Sequence, residues 1–229
     1  MRAILPARRL RAPLAALCAM LAAPAHAAGG AHVVDDADVE TPGHCHLESW
    51  LAIGGGRSGD GFLVPACTPA QLPFLELGAF YDRTYGPGAT NTAGLAAKIN
   101  VQSSTRGVGL AVSPNVSVDT RTGKVIAAGL LVPAGIVASD AVHVNANVAA
   151  LWTRGDRVRA FAGLQAMIAL APDVQAMAET FARFGQKPGQ QAGLRWTVDR
   201  GRIDLDVLAA RNLDTRSAHT ITIGLTIRR

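Results

Sequence analysis

The sequence predicts an all-β protein, an antiparallel up-and-down transmembrane β-barrel of about twelve strands. Three observations predict it: an export signal at the N-terminus, no later apolar run long enough for a membrane helix, and repeated short segments of alternating polarity separated by turn residues.

Residues 1–27 read as a secretory signal peptide. Arg2, Arg8, Arg9 and Arg11 form a basic start, Pro13 to Ala23 an apolar stretch, and Ala25-His26-Ala27 a small-residue cleavage site. The apolar stretch is well short of the ~20 residues a helix needs to cross a bilayer. Leu17 before Cys18 is a poor lipidation signal. No later apolar run reaches ~18 residues, which excludes a helical membrane protein.

The full chain carries 22 basic and 17 acidic residues, but four arginines and no acids lie in the signal. The remainder is therefore nearly neutral, and net charge gives no support to a nucleic-acid partner. Cys45 and Cys67 remain beyond the signal. An even number in an oxidising compartment suggests one disulfide, and no C-x-x-C or zinc-like spacing is present.

Residues 28–44, with Asp35, Asp36, Asp38 and Glu40 and few large apolar side chains, read as a flexible periplasmic lead-in. The barrel then occupies 45–229. The spacing predicts strands over 45–53, 61–67, 74–83, 94–102, 107–118, 124–132, 141–152, 157–168, 174–184, 190–198, 202–210 and 219–227. Segment 174–184 also fits helical spacing after Asp173, but Gln175, Met177, Glu179, Phe181 and Arg183 alternate with smaller residues and favour a strand. Antiparallel pairing places Cys45, which opens the first strand, and Cys67, which closes the second, at the same end, where a bridge could form.

Alternation does not say which face meets water. One face is rich in Ala and Val and short of aromatics, too small to fill a twelve-stranded interior but suitable for lipid. The other carries Glu48, Glu76, Lys98, Arg159, Glu179, Arg183, Arg195, Asp204 and Asp206, which are the candidate lumen-lining residues. Arg or Lys at the lipid midplane would cost ~2–4 kcal/mol, so this face should point inward. A two-sheet sandwich with the polar face outward is the architectural alternative.

Two stretches carry a resemblance. Gln191-Ala192-Gly193-Leu194-Arg195-Trp196, Arg202-Ile203-Asp204-Leu205-Asp206-Val207 and His219-Thr220-Ile221-Thr222-Ile223-Gly224-Leu225-Thr226-Ile227 look like the closing hairpins of porin-like proteins. They are similar to the proteobacterial outer-membrane transporter family related to the meta-pathway phenol-degradation proteins. Pro42-Gly43-His44-Cys45-His46-Leu47-Glu48-Ser49-Trp50 with Pro65-Ala66-Cys67 looks like the opening of a subgroup of that family. The resemblance implies an outer-membrane barrel with a transport role and supplies no catalytic or ligand residues. One departure is the end, Ile227-Arg228-Arg229, where barrels handled by the outer-membrane assembly machinery usually carry an aromatic residue.

Enzymatic chemistry finds little footing. His143-Val144-Asn145 invites comparison with outer-membrane phospholipases, but a serine hydrolase needs a hydroxyl within reach of the imidazole and that strand has no Ser. His44, His46 and Glu48 around Cys45 are a thin basis for a metal site. Gly54-Gly55-Gly56 lacks the lysine and helix of a phosphate loop. No cofactor is implied. Lys98, Arg159, Arg183 and Arg195 could form an anion-selecting strip, or could pair with Glu48, Glu76, Glu179, Asp204 and Asp206 and close the lumen. The expected function is a porin-like channel or transporter for small solutes in the outer membrane, with its lipid and assembly machinery as partners. The alternatives are a non-conducting structural or surface-interaction barrel, a periplasmic sandwich binding protein, and an outer-membrane lipid hydrolase.

Overall fold

Alternating side chains give each segment two chemically distinct faces, and hydrogen-bonded closure of the sheet is the arrangement that leaves no open edge. The computed structural model describes residues 31–55, 58–212 and 219–229. The predicted signal peptide, residues 1–27, lies outside them.

Among the described residues the strands are β1 Cys45–Gly54, β2 Gly59–Cys67, β3 Leu75–Tyr85, β4 Asn91–Gln102, β5 Val108–Asp119, β6 Val125–Ser139, β7 Val142–Thr153, β8 Arg159–Ala171, β9 Val174–Arg183, β10 Gly189–Val198, β11 Ile203–Asn212 and β12 His219–Arg228. Each pairs antiparallel with its chain neighbour, and β1 pairs with β12 to close the barrel. Cys45 and Arg229 exchange backbone hydrogen bonds of 2.9 and 2.8 Å at the foot of that seam. Cys45 also stands opposite Cys67 and is bonded to it. The end holding these residues is called proximal below.

Several boundaries move by two or three residues, and one moves by more. The predicted connection 133–140 is mostly strand, because β6 continues to Ser139. Pro133 has no N–H to donate, but the β5–β6 ladder has no paired residues between Ser113↔Leu131 and Leu110↔Ala134, so a missing donor is tolerated there. β8 likewise runs past 168 to Ala171, and β9 is a strand rather than a helix.

The faces separate as the alternation requires. Leu95, Val148, Leu164, Leu194, Val207 and Ile223 point outward and are exposed. Asn147, Gln165, Glu179, Arg195, Asp204 and Asp206 point inward and are buried. A sandwich with the polar face outward is thereby overturned. Exposed apolar side chains all around a closed sheet are unlike the surface of a soluble monomer and match a lipid-facing band.

Candidate functional site: a plugged polar lumen

Residues 31–40 are not a free lead-in. They run inside the barrel, which follows from their partners. Glu40 N–H donates to Glu76 on β3 at 2.8 Å, and Asn100 on β4 donates to the Ala37 carbonyl at 2.6 Å. Asn147 on β7 grips the Asp35 backbone twice, accepting from its N–H at 2.8 Å and donating to its carbonyl at 2.7 Å. Val33 N–H donates to Glu179 on β9 at 3.1 Å, and Gln191 on β10 donates to the Ala31 carbonyl at 3.3 Å. A segment that meets strands on opposite sides of a closed barrel can do so only from within. The physical reason is donor and acceptor demand: an extended chain leaves its backbone groups unpaired, and the polar inner wall supplies their partners.

Glycines on the wall make room for it. A Cβ at Gly163 would stand 2.7 Å from Val34 Cγ2, and one at Gly109 would stand 3.1 Å from the Ala37 Cβ. One at Gly224 would stand 3.1 Å from the Ala31 Cβ.

Charged contacts fix the segment further. Lys98 on β4 donates to Asp35 at 2.9 Å and lies 3.5 Å from Asp36. Asp38 accepts from the Ser103 hydroxyl at 2.9 Å, from the Ser104 N–H at 3.1 Å, and from the Ser104 hydroxyl. His32 Nδ1 lies 3.2 Å from Glu179 and its Nε2 3.7 Å from Asp206. Burial pushes the His32 imidazole down, but the facing carboxylates of Asp206 and Glu179 outweigh it and hold its pKa above the ordinary value. Burial raises the Asp35 carboxyl above its ordinary range despite Lys98. Burial also opposes ionisation of Glu40, yet His46, the Thr41 amide and Arg228 hold its pKa down to about 2.

The wall has its own pairs. Arg195 forks onto Asp206 with contacts of 2.8 and 2.9 Å and reaches Asp204 at 3.6 Å. Arg228 lies 2.8 Å from Asp204 and 3.4 Å from Glu40. One of the two closing arginines thus has a place: Arg228 turns inward and ties β12 to the inner segment, Ile227 keeps the outer face apolar, and the terminal Arg229 is exposed. Glu179 also accepts from Gln165 and Gln191, both at 2.6 Å.

Of the nine predicted lumen residues, Glu76, Glu179, Arg195, Asp204 and Asp206 are buried inside, and Lys98 and Glu48 have largely buried side chains. Arg159 and Arg183 share the inward alternation but sit at the distal ends of β8 and β9. Arg159 pairs with Asp156 in the adjoining turn at 2.7 Å, and Arg183 is exposed. Lys98 and Arg195 therefore do not join them in a continuous strip.

Sequence reasoning missed the partners on the inner segment. A signal was present: Ala31, Val34 and Ala37 recur every third residue among the acids, and all three are buried. His143 lines a cavity of about 20 Å³ beside Asp36 and Asp38, with Asn145 turned to Gln165 at 2.7 Å. Cys45 is committed to its disulfide, and His46 lies between Glu40 at 3.6 Å and Glu48 at 3.7 Å.

An open lumen would leave its wall accessible to water. Gln165 and Asp206 are 0% exposed, so at this level the barrel is packed shut. Distally the inner wall is partly open around Trp50 and Phe62, whose rings stack at 4.6 Å.

A family model described as "Uncharacterised conserved protein UCP029691" matches residues 16–229. The chain belongs to that family. No curated protein matches it. Among solved structures, the chain resembles the KdgM porin at 10% identity and a TM-score of 0.64, over 80% of this chain and 98% of that one. It resembles the NanC porin at 8% identity and 0.61, over 79% and 98%. It resembles the COG4313 outer membrane channel from Pseudomonas putida F1 at 10% identity and 0.61, over 85% and 98%. At these identities the likeness establishes the barrel fold.

Proposed function

We propose that this UCP029691 family member is an outer-membrane channel or transporter for small solutes, closed in the described state by its own segment 31–40. The observation that carries the reading is the reversal of faces: apolar side chains outside a closed barrel and a hydrogen-bonding, charged wall inside. The porin-like architecture supports it, as does the resemblance of the opening and closing stretches to the phenol-degradation-related transporters. The family relation to those transporters is part of the proposal.

The purified protein should run anomalously on gels until boiled, remain folded in detergent, and carry ionic current in planar bilayers. Folded protein that never conducts would overturn the channel reading. That outcome would favour the second reading, a non-conducting structural barrel, which the pairing of Arg195 with Asp206 and of Lys98 with Asp35 supports. Solubility in the periplasm without detergent would overturn both.

A further inference from the structure

We infer that segment 31–40 is a proton-sensitive gate, docked in the lumen under mildly acidic conditions and released as pH rises. The inference rests on the channel reading only for what the gate would control.

The charge balance of the docked state carries it. The segment brings Asp35, Asp36, Asp38 and Glu40 into a wall that already holds Glu48 on β1, Glu76 on β3, Glu179 on β9, and Asp204 and Asp206 on β11. Against these nine carboxylates stand three permanent cations, Lys98 on β4, Arg195 on β10 and Arg228 on β12. His32 on the segment, His46 on β1 and His143 on β7 complete the titratable groups around it. The strands β5 and β8 meet the segment with Gly109 and Gly163, which carry no charge. Even with all three imidazoles charged, carboxylates outnumber cations, and most of these carboxylates are buried where charge is poorly solvated. Docking therefore favours uptake of protons, and undocking releases the segment's acids to water.

The sign follows from the groups on the segment. His32 has a raised pKa when docked, so its contribution to docking is full below its ordinary value and is lost as pH rises through the raised one. Asp35, also raised, acts in the same direction. Glu40 opposes them only below its ordinary value of 4.5, where its contribution fades as pH falls toward about 2. His32 therefore sets the sign above its ordinary value of 6.5, and Asp35 adds to it above its own of 3.8.

The fold also supplies a pivot. Residues 41–44 are exposed, and Gly43 has φ +87°, a conformation other residues rarely adopt. Beyond it the chain is held: Gly43 N–H donates to the Thr68 carbonyl at 2.7 Å, Thr68 N–H to His44 at 3.0 Å, and the disulfide fixes Cys45 to Cys67. Release can thus move residues 31–41 while β1 stays in register.

The test is maleimide labelling of Val34→Cys in detergent micelles. Val34 is 0% exposed when docked, and cysteine is smaller than valine, so the site accepts it. Its rate is divided at each pH by that of Ala89→Cys in the exposed β3–β4 turn, which removes the ordinary change in thiolate fraction. Between pH ~5.5 and ~8 the ratio should rise at least ~tenfold, the effect of about one proton taken up on docking. A ratio that stays low throughout, or high throughout, would overturn the gate. Bilayer current measured in parallel separates the two readings: a pH-dependent ratio without current would remove the channel and leave the gate, and current with a flat ratio the reverse.

Discussion

Lys98 on β4 reaches across to Asp35 on the inner segment at 2.9 Å, joining two residues 63 positions apart in the chain. A lysine on an inner barrel wall can bind solute or bind the protein's own chain. Here it does the second, and the same choice recurs for Arg228 with Glu40. Replacing Lys98 by Met should therefore loosen the segment without unfolding the barrel. Labelling of Val34→Cys at pH ~6 should quicken several-fold in the K98M background, with the boiling-dependent gel shift retained.

Arg195 should behave differently, because it belongs to the wall. It is 2% exposed and forks onto Asp206 beside Asp204. Arg195→Met takes the forked partner from buried Asp206 and the weaker of two arginine contacts from Asp204, which typically costs ~3–5 kcal/mol. Denaturant unfolding in detergent should show that loss, and Arg195→Lys should recover part of it.

Gly163 and Val34 offer a test of steric fit. A methyl group at Gly163 would lie 2.7 Å from Val34 Cγ2, so Gly163→Ala should disfavour docking. Adding Val34→Ala removes the colliding methyl group and should restore it. Limited proteolysis of the segment reads both, and the single and double variants should differ while the barrel core remains protected.

The outward face can be checked at Val148, in mid-strand on β7 and 58% exposed. Val148→Arg should destabilise the protein by ~2–4 kcal/mol in a bilayer or detergent if that surface meets lipid. A change near zero, measured by refolding into vesicles, would contradict the lipid-facing assignment.

Much of the fold was legible in the sequence. Strand number, pairing order and facing follow from a two-residue period, since a one-residue slip would exchange the faces. The end of β6 was not, because Pro133 reads as a breaker until the gap in its ladder is known. The site was legible only in part. The alternation placed Glu179 and Asp206 inward, but their shared contact with His32 depends on the curvature that brings β9 and β11 around one segment. The acids of residues 35–40 read as a solvated tail, because a one-dimensional pattern does not reveal that the barrel's own wall offers partners.

Segment 31–40 either blocks a conducting path or does not. Ala31→Cys with Gly224→Cys should form a lock: the alanine Cβ lies 3.1 Å from the ideal Cβ position at Gly224, and a shift of the segment by about half an ångström brings the pair into the ~3.5–4.5 Å disulfide range. Single-channel recording of the locked protein at pH ~8, where the free segment is released, before and after reductant and beside unmodified protein given the same reductant, is the decisive measurement. The account predicts no current while locked and recovery to the unmodified level after reduction. Equal current in the locked and reduced states would contradict it.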